Sequence, residues 1–306
     1  MINKPASLDQ RIIEISDVIA FYAKRLTLMR GRGETKEALS RTYLSSGSSE
    51  TAYQTVSPWY QILEPIYGEI ESLIQHADND DTARILADNR IKNQLEHLHQ
   101  IRAAYEFDKE IDAAKSILSL EDPANHLADI MDHQSYWILT EPVLEALKGA
   151  KNVAVIGSGP LPLTALSVAE KTGAAVTCFE LDKDAFDLGN KIIAHSPQKQ
   201  NIACLNQLAE GGEVFEKFDA VISAVLLGVD LDSPNHIPKS ETLNAFLNAV
   251  PKNAPIILRD PFRLGSLFYP AAQTDQLTNV DVNRFDPLAA IGEPYRSSFL
   301  ILRTSS

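Results

Sequence analysis

The residues best suited to binding chemistry lie in a glycine-rich turn near the middle of the chain. An apolar run at residues 152–156 ends in Gly157, Ser158, Gly159, Pro160 and Leu161, and a helical pattern follows. Because glycine adopts conformations that other residues avoid, such a turn lets a ligand approach the backbone closely. The helix beyond it presents N–H groups at its first turn. A strand, a glycine turn and a helix in this order predict a nucleotide-binding site.

Pro162 narrows the kind of ligand that this turn is expected to bind. Dinucleotide-binding turns place a third small residue at this position, where the helix packs closely on the strand. Proline is tolerated in the first turn of a helix, because its missing N–H would have no partner there. The turn therefore favours a nucleoside ligand without a pyrophosphate, and S-adenosylmethionine (SAM) fits that description best.

An acidic residue follows the turn at a suitable distance. The next apolar segment ends at Glu180, 23 positions after Gly157, and Asp182 lies two residues further on. A carboxylate at the tip of the second strand commonly accepts hydrogen bonds from both ribose hydroxyls of a nucleotide. We therefore predict that Glu180 binds the ribose, with Asp182 as the second candidate. The alternative is an ordinary solvated residue at a strand end.

The two halves of the chain differ in the period of their apolar residues. Residues 1–150 have helical spacing, with long helices predicted at about 93–118 and 134–147, and form the predicted N-terminal all-helical domain. In residues 151–306, strands are predicted at 152–157, 175–180, 201–205, 218–225, 254–259, 277–283 and 297–303. Strands that alternate with helices predict an open α/β sheet, and fold-level analogy indicates a Rossmann-like SAM-dependent methyltransferase fold. Its seven-stranded sheet is expected to be mostly parallel, with the last two strands as an antiparallel edge pair.

Composition and charge limit the classes of partner. The 306 residues carry a formal net charge of −13, which opposes binding to nucleic acid or to an acidic membrane surface. No apolar stretch approaches the ~20 residues of a membrane span, and the first residues lack the apolar core of a signal peptide. We therefore expect a cytoplasmic protein, and a homodimer is the assembly to test. Cys178 and Cys204 are expected to be buried, reduced thiols, and no Cys or His spacing suggests a metal site.

Segments spread over about residues 100–303 resemble the nicotianamine synthase family. The turn from Gly157 to Thr164 resembles the family's signature turn, and residues 219–228, which include Ala224, resemble its fourth strand with a small-residue ending. Arg259 and the later segment 267–270, which contains Tyr269, resemble its fifth-strand arginine and Leu-Tyr-Pro segment. Upstream, the positions of Glu106, Glu110 and Tyr136 resemble those of its helical region.

The resemblance implies a particular use of SAM. Enzymes of this family, which include bacterial opine-metallophore synthases, transfer the 3-amino-3-carboxypropyl group of SAM. An amine attacks Cγ, the carbon of the 3-amino-3-carboxypropyl group that is bonded to sulfur, and 5′-methylthioadenosine (MTA) leaves. SAM would then be a substrate bound by the glycine turn, the acidic strand end and Ala224, with no metal required. The N-terminal half would serve as a lid and an acceptor site.

The same resemblance implies roles for the remaining site residues. Glu110 and Tyr136 fall on the family's acidic and tyrosine positions, and Glu106 is the third catalytic candidate because it lies one helical turn from Glu110. Arg259 and Tyr269 would bind a substrate carboxylate or line the pocket; the alternatives are a structural ion pair for Arg259 and packing beneath the pocket for Tyr269. For the two glutamates the alternative is a solvated helix face, since charged residues surround them.

The identity of the amine that attacks Cγ stays open. Residues 131–136, 260–266 and 293–298 depart from the family's acceptor motifs. One hypothesis is transfer to an external amino-acid amine. The rival hypothesis is attack by SAM's own amine, which would give azetidine-2-carboxylate, as in bacterial enzymes that share the SAM-binding fold. Conventional methyl transfer and SAM binding without catalysis are the less favoured alternatives.

Overall fold

The computed structural model describes residues 7–17, 65, 67–69, 72, 77–133, 141–207, 215–223, 239–286 and 297–304. Two predicted site residues, Tyr136 and Ala224, lie outside these ranges. Residues 134–140, the first part of the helix predicted at 134–147, also lie outside them. All further statements concern the described residues.

A seven-stranded sheet forms the centre of the second half of the chain. Its strands are β1 Asn152–Ile156, β2 Ala175–Phe179, β3 Ile202–Leu205, β4 Ala220–Ser223, β5 Ile256–Pro261, β6 Val280–Phe285 and β7 Ser297–Thr304. The order across the sheet is β3-β2-β1-β4-β5-β7-β6, and only β7 runs antiparallel to its two neighbours. The predicted fold class and the antiparallel edge pair are therefore confirmed. The order reverses between β1 and β4, where open α/β sheets bind their ligands.

Helices precede the sheet and alternate with its strands. They are α1 Asn79–Ala87, α2 Asn89–Lys92, α3 Leu95–Leu118, α4 Pro123–His133, α5 Glu141–Ala146, α6 Leu163–Thr172, α7 Lys183–His195 and α8 Lys239–Ala249. Residues 8–17 are also helical. Short 3-10 helices at Arg263–Leu267 and Thr274–Gln276 follow β5. The observed α3 matches the helix predicted at about 93–118.

Helix α4 was missed by the sequence analysis, although its start carries a clear signal. The Oδ1 atom of Asp122 accepts a hydrogen bond from the backbone N–H of Asn125 at 3.1 Å, and Pro123 is the first helical residue. An aspartate at the cap position followed by proline is a common helix start. The sequence analysis placed no helix between residues 118 and 134.

Apolar side chains cover both faces of the sheet. On one face, strand residues such as Val153 and Ile222 pack with α6, α7 and residues from the helices that precede the sheet. On the other face, Val221 and Ile256 pack with α8 and with a group of phenylalanines, Phe179, Phe215, Phe218 and Phe246. This double coverage explains why the parallel strands are nearly continuous apolar runs in the sequence.

The chain divides into two compact units, and the predicted domain boundary at residue 150 stays a prediction. The first unit is Met1–Asp108, Arg263–Tyr269 and Ala290–Arg296, and the second is Lys109–Phe262, Pro270–Ala289 and Ser297–Ser306. Ala114 and Ile117 of α3, Leu127 of α4 and Val143 of α5 belong to the core of the sheet. Their helical spacing revealed the helices but not the surface on which they pack.

The first unit has a buried core of its own. Ile12, Ile85 and Leu98 are almost completely buried. Helix α1 begins with a reciprocal capping arrangement between Asp78 and Asp81, which satisfies N–H groups that have no partner within the helix. No described helix is both long and apolar enough to cross a membrane.

We expect Leu166→Ala to destabilise the protein by about 2–5 kcal/mol, because Leu166 is fully buried between α6 and the sheet. Leu120→Ala is the matched control, since Leu120 is 44% exposed; a change within about 0.5 kcal/mol is expected there. Urea unfolding monitored by circular dichroism measures both. Equal losses of stability in the two variants would contradict the assigned core.

Candidate functional site

The glycine turn after β1 leaves open space beside its first glycine. Gly157 has φ +67° and Gly159 has φ +71°, values that strongly favour glycine. The N–H of Gly157 donates to the carbonyl oxygen of Phe179 at 2.9 Å, which joins the turn to the end of β2. A Cβ atom built on Gly157 would meet no other atom within 4 Å. The backbone at Gly157 is therefore accessible to a ligand.

The residues between the turn and α6 have different surroundings. Ser158 and Pro160 are buried, whereas Leu161 is partly buried against the core of the sheet. Pro162 was expected in the first turn of the helix, but α6 begins at Leu163 and Pro162 is the residue before it. Its ψ of 51° is not helical, so Pro162 ends the loop and does not replace a helical N–H.

Glu180, the residue directly after β2, is bound to the glycine turn. Its Oε2 atom accepts a hydrogen bond from the N–H of Gly159 at 2.8 Å, and its Oε1 atom accepts one from the N–H of Asp182 at 2.9 Å. The side chain is largely buried, with 9% of its surface exposed. Burial raises the pKa of Glu180, and the two backbone hydrogen bonds oppose that change. Glu180 is therefore held in one orientation at the carboxyl end of β2.

Asp182, the second ribose candidate, caps a helix. Its Oδ1 atom accepts a hydrogen bond from the N–H of Ala185 at 2.8 Å, at the start of α7. This contact satisfies a helix N–H that would otherwise have no partner. The cap uses one lone pair of the Asp182 carboxylate, and the two backbone hydrogen bonds use two lone pairs of the Glu180 carboxylate, so both side chains can still accept a hydrogen bond from a ligand.

Leu181 and Asn206 are neighbours of Glu180 that the sequence analysis missed. The side chain of Leu181 is 63% exposed, more than that of any other large hydrophobic residue in the described ranges. Just after β3, the Nδ2 atom of Asn206 donates to the carbonyl oxygens of Glu180 and Leu181, at 3.0 Å each. Asn206 therefore fixes the backbone that carries both side chains. Its position after the third predicted strand was the available signal.

Cys178 and Cys204 occupy paired positions on the neighbouring strands β2 and β3. Both are free thiols, as predicted, although Cys204 is only partly buried. The hydrogen bond between them raises the pKa of Cys178 and lowers that of Cys204. The hydroxyl of Ser158 lies 3.8 Å from the sulfur of Cys204. These contacts pack the back of the glycine turn against the sheet.

Glu110, on α3, lies against the same glycine turn. Its Oε2 atom is 2.7 Å from the position that a Cβ atom on Gly159 would occupy, so any side chain at this position would displace the Glu110 carboxylate. On another side, a Cβ atom on Gly189 of α7 would lie 3.0 Å from the carbonyl oxygen of Gly159. The carboxylates of Glu110 and Glu180 therefore both approach Gly159, although their positions are 70 residues apart in the sequence. Glu110 is exposed, and its side chain remains accessible to a bound molecule.

Glu106 belongs to a separate cluster, in the first unit. Its Oε1 atom pairs with the Nη2 atom of Arg102 at 2.7 Å and also accepts a hydrogen bond from the hydroxyl of Tyr269. Arg102 is 4% exposed, and its guanidinium carbon lies 4.6 Å from the ring centre of Tyr67 and 5.2 Å from that of Phe268. Such cation–π contacts stabilise a buried arginine. Sequence motifs indicated Glu106 and Tyr269 but not Arg102, whose guanidinium contacts both side chains.

Arg259 lies on β5 and is half-buried. Its backbone carbonyl oxygen is 3.4 Å from the Nζ atom of Lys239. The predicted binding of a substrate carboxylate by Arg259 stays a prediction. Among the described residues, no group of three His, Cys, Asp or Glu side chains is arranged to hold a metal ion.

The strand order and the glycine turn define the SAM-dependent methyltransferase type of Rossmann-like fold. Within that class, the family model described as "Nicotianamine synthase protein" matches residues 61–297. This match covers well over half of the chain. The chain therefore belongs to the nicotianamine synthase family.

Individual relatives are distant. Nicotianamine synthase 2 from Arabidopsis thaliana is 23% identical over 230 residues, which cover 72% of this chain and 70% of that protein. L-histidine 2-aminobutanoyltransferase from Yersinia pestis is 23% identical over 152 residues, 49% of this chain and 56% of that protein. Among solved structures, a glutamate-to-glutamine variant of MtNAS in complex with SAM has a TM-score of 0.65 at 17% identity. It covers 81% of this chain and 92% of its own. MtNAS in complex with MTA and tNA gives a TM-score of 0.64 at 16% identity, covering 93% of this chain and 98% of its own. At these identities the structures show a shared fold.

Gly157→Val should abolish SAM binding, because the valine side chain would fill the open space beside the turn. Gly173→Val is the matched control: Gly173 ends α6 with φ +69° and also has no neighbour within 4 Å of a built Cβ atom. Both substitutions strain the backbone by about 1–2 kcal/mol. Isothermal titration calorimetry measures the affinity of both variants for SAM. Because both carry the backbone strain, a loss of affinity in Gly157→Val alone is due to the filled space at the turn. Wild-type SAM affinity in Gly157→Val, or equal losses in both variants, would overturn the placement of the ligand.

Proposed function

We propose that this protein is an enzyme that transfers the 3-amino-3-carboxypropyl group of SAM to an amine and releases MTA. The observation that carries the proposal is the position of the Glu110 carboxylate against Gly159, in the turn where this fold binds SAM. Membership of the nicotianamine synthase family supports the choice of reaction. The names of two relatives, a nicotianamine synthase and an aminobutanoyltransferase, point to the same kind of transfer.

In the proposed donor site, three features bind different parts of SAM. The open backbone at Gly157 accommodates the chain that carries the sulfonium, and the free lone pairs of the Glu180 carboxylate accept the ribose hydroxyls. The exposed side chain of Leu181 offers an apolar surface for one face of the adenine. Ser158, Pro160 and Leu161 shape the turn.

In the proposed reaction the lone pair of the amine forms a C–N bond to Cγ. The C–S bond breaks, and its electron pair stays on sulfur, so MTA leaves as a neutral thioether. Positive charge moves from sulfur to nitrogen as the reaction proceeds, and the nitrogen then loses a proton. A carboxylate nearer to the nitrogen than to the sulfur stabilises the transition state more than the ground state.

We assign this carboxylate to Glu110, which holds the ammonium or accepts its proton. Glu110 is exposed in the protein without substrate, and bound SAM and acceptor would exclude water from it. Tyr136 stays a second catalytic candidate. Glu106 and Tyr269, joined by their hydrogen bond, are proposed to contribute to the acceptor side, and Arg259 to bind a carboxylate.

The second candidate function is cyclisation of SAM to azetidine-2-carboxylate by attack of its own amine on Cγ. It is favoured by the departures from the family's acceptor motifs at residues 131–136, 260–266 and 293–298. Both reactions form a C–N bond at Cγ and release MTA. Only transfer requires a second substrate.

Mass spectrometry of the products separates these functions. The protein is incubated with SAM alone and then with SAM and a mixture of amino acids, and a protein-free sample corrects for spontaneous breakdown of SAM. MTA with an amino-acid adduct, formed only when amino acids are present, supports transfer. MTA with azetidine-2-carboxylate from SAM alone supports cyclisation. S-adenosylhomocysteine as the product would contradict attack at Cγ.

Glu110→Gln should lower kcat for MTA release by about 10²–10⁴-fold, because glutamine neither accepts a proton nor balances the charge of the ammonium. The affinity for SAM should change little, since Gly157 and Glu180 supply the proposed binding contacts. Glu96→Gln, at an exposed glutamate on the same helix, is the control and should retain wild-type turnover. Unchanged turnover in Glu110→Gln would refute the assigned role.

A further inference from the structure

A buried lysine contacts the chain both within β5 and directly after the segment that follows this strand. Lys239, the first residue of α8, has only 2% of its side chain exposed. Its Nζ atom lies 3.4 Å from the carbonyl oxygen of Arg259, before the segment, and 3.2 Å from that of Pro270, directly after it. One ammonium group therefore contacts two points of the chain: Arg259, two residues before the end of β5, and Pro270, directly after the segment.

Asp260 completes this arrangement, which we call the Lys239 clamp and define as Lys239, Asp260 and the backbone of Arg259, Pro270 and Ala272. The Oδ1 atom of Asp260 lies 3.5 Å from the Nζ atom of Lys239 and accepts a hydrogen bond from the N–H of Ala272 at 2.7 Å. Its other oxygen pairs with Arg284 of β6. Asp260 is completely buried, so its charge is balanced inside the protein.

The Lys239 clamp includes Pro270, which follows Tyr269 directly in the chain. Residues Arg263–Tyr269 belong to the first unit, whereas the clamp residues belong to the second. Tyr269 immediately precedes Pro270, whose carbonyl oxygen contacts Lys239. At the other end of its side chain, the hydroxyl of Tyr269 donates to Glu106. The backbone next to Tyr269 is thus held by Lys239, independently of the contact made by its hydroxyl.

Stability alone is a weak reason for a buried ion pair, because apolar residues of similar size often stabilise a protein as well or better. Burial lowers the pKa of Lys239 to about 8, and the neighbouring Asp260 opposes this change. Most of the lysine is therefore protonated at neutral pH. The protonated amine has three N–H donors for the three oxygens named above, and a neutral amine has only two.

We propose that Lys239 is a positioning residue for the transfer reaction, which acts by holding the backbone at Tyr269. This inference rests on the proposed function and adds a residue that none of the motifs indicated. Lys239 itself does not contact SAM in this proposal. Its effect on the reaction passes through Tyr269, and this dependence can be measured.

The test is a double-mutant cycle on MTA release, with Lys239→Met, Tyr269→Phe and the combined variant. Lys239→Met should lower kcat by about 10- to 100-fold, as small displacements near a reaction centre do. The dissociation constant for SAM should stay unchanged. In the combined variant the loss should be no greater than in Tyr269→Phe alone, because residues that act through one another are not additive. Lys252→Met, at an exposed lysine, is the control for the substitution.

Additive losses, a parallel loss of SAM affinity, or wild-type kcat in either single variant would overturn the proposal. A wild-type protein that releases no MTA from SAM under any condition would instead refute the proposed function.

If Lys239→Met does not fold, Asp260→Asn replaces it in the cycle, since asparagine can still accept the hydrogen bond from Ala272. If neither variant folds, the wild-type pH profile decides. The charged groups facing Lys239 are Asp260, Arg259 and Arg284. Because the pKa of Lys239 is lowered to about 8, kcat should fall as pH rises through that value. A kcat that stays level as pH passes well above that value would overturn the proposal.

Discussion

The crowding around Gly159 is the constraint on which the candidate site depends. The residue has a positive φ, its N–H is bound by Glu180, and Glu110 occupies the place where a side chain would be. Its carbonyl oxygen lies 3.0 Å from the position that a Cβ atom on Gly189 of α7 would occupy. Three elements of the second unit, α3, β2 and α7, therefore meet at one glycine. Gly157, two residues earlier, has open space instead, so the turn is fixed on one side and accessible on the other.

The sheet topology explains why these residues meet although they are distant in sequence. β1 and β2 are adjacent and parallel, so the turn after β1 and Glu180 after β2 lie at the same edge of the sheet. Asn206, after β3, extends this edge by one strand and fixes the backbone of Glu180. Helix α3 reaches the edge because its second half shares the core of the sheet through Ala114 and Ile117. Packing of apolar residues thus brings Glu110 to the turn.

The fold was more predictable from the sequence than the site. Each of the seven strands was predicted within a few residues. For the central strands the reason is that a strand buried on both faces is a nearly continuous apolar run bounded by polar residues. Helix α4 was missed because Asp122-Pro123 can end one helix and begin the next. Helical periodicity does not reveal which surface a helix packs on, so the packing of α3, α4 and α5 on the sheet could not be predicted from it. Glu110 against Gly159, Arg102 beside Tyr269, and Lys239 between Arg259 and Pro270 are long-range contacts, which no local pattern encodes.

The electrostatics of the turn give a physical reason for SAM as the ligand that is stronger than the one offered by Pro162. In dinucleotide sites, the N–H groups of the glycine turn and of the following helix bind a pyrophosphate. Here the N–H of Gly159 is bound by Glu180, and a second carboxylate, that of Glu110, lies beside the same glycine. A pyrophosphate at this point would face two carboxylates in a chain whose net charge is already −13. SAM carries a sulfonium and an ammonium against one carboxylate, so its net charge is positive, and the same two side chains attract it. In the proposed site, the pair of carboxylates would therefore favour a cationic nucleoside over a pyrophosphate at the turn, whichever amine then attacks it.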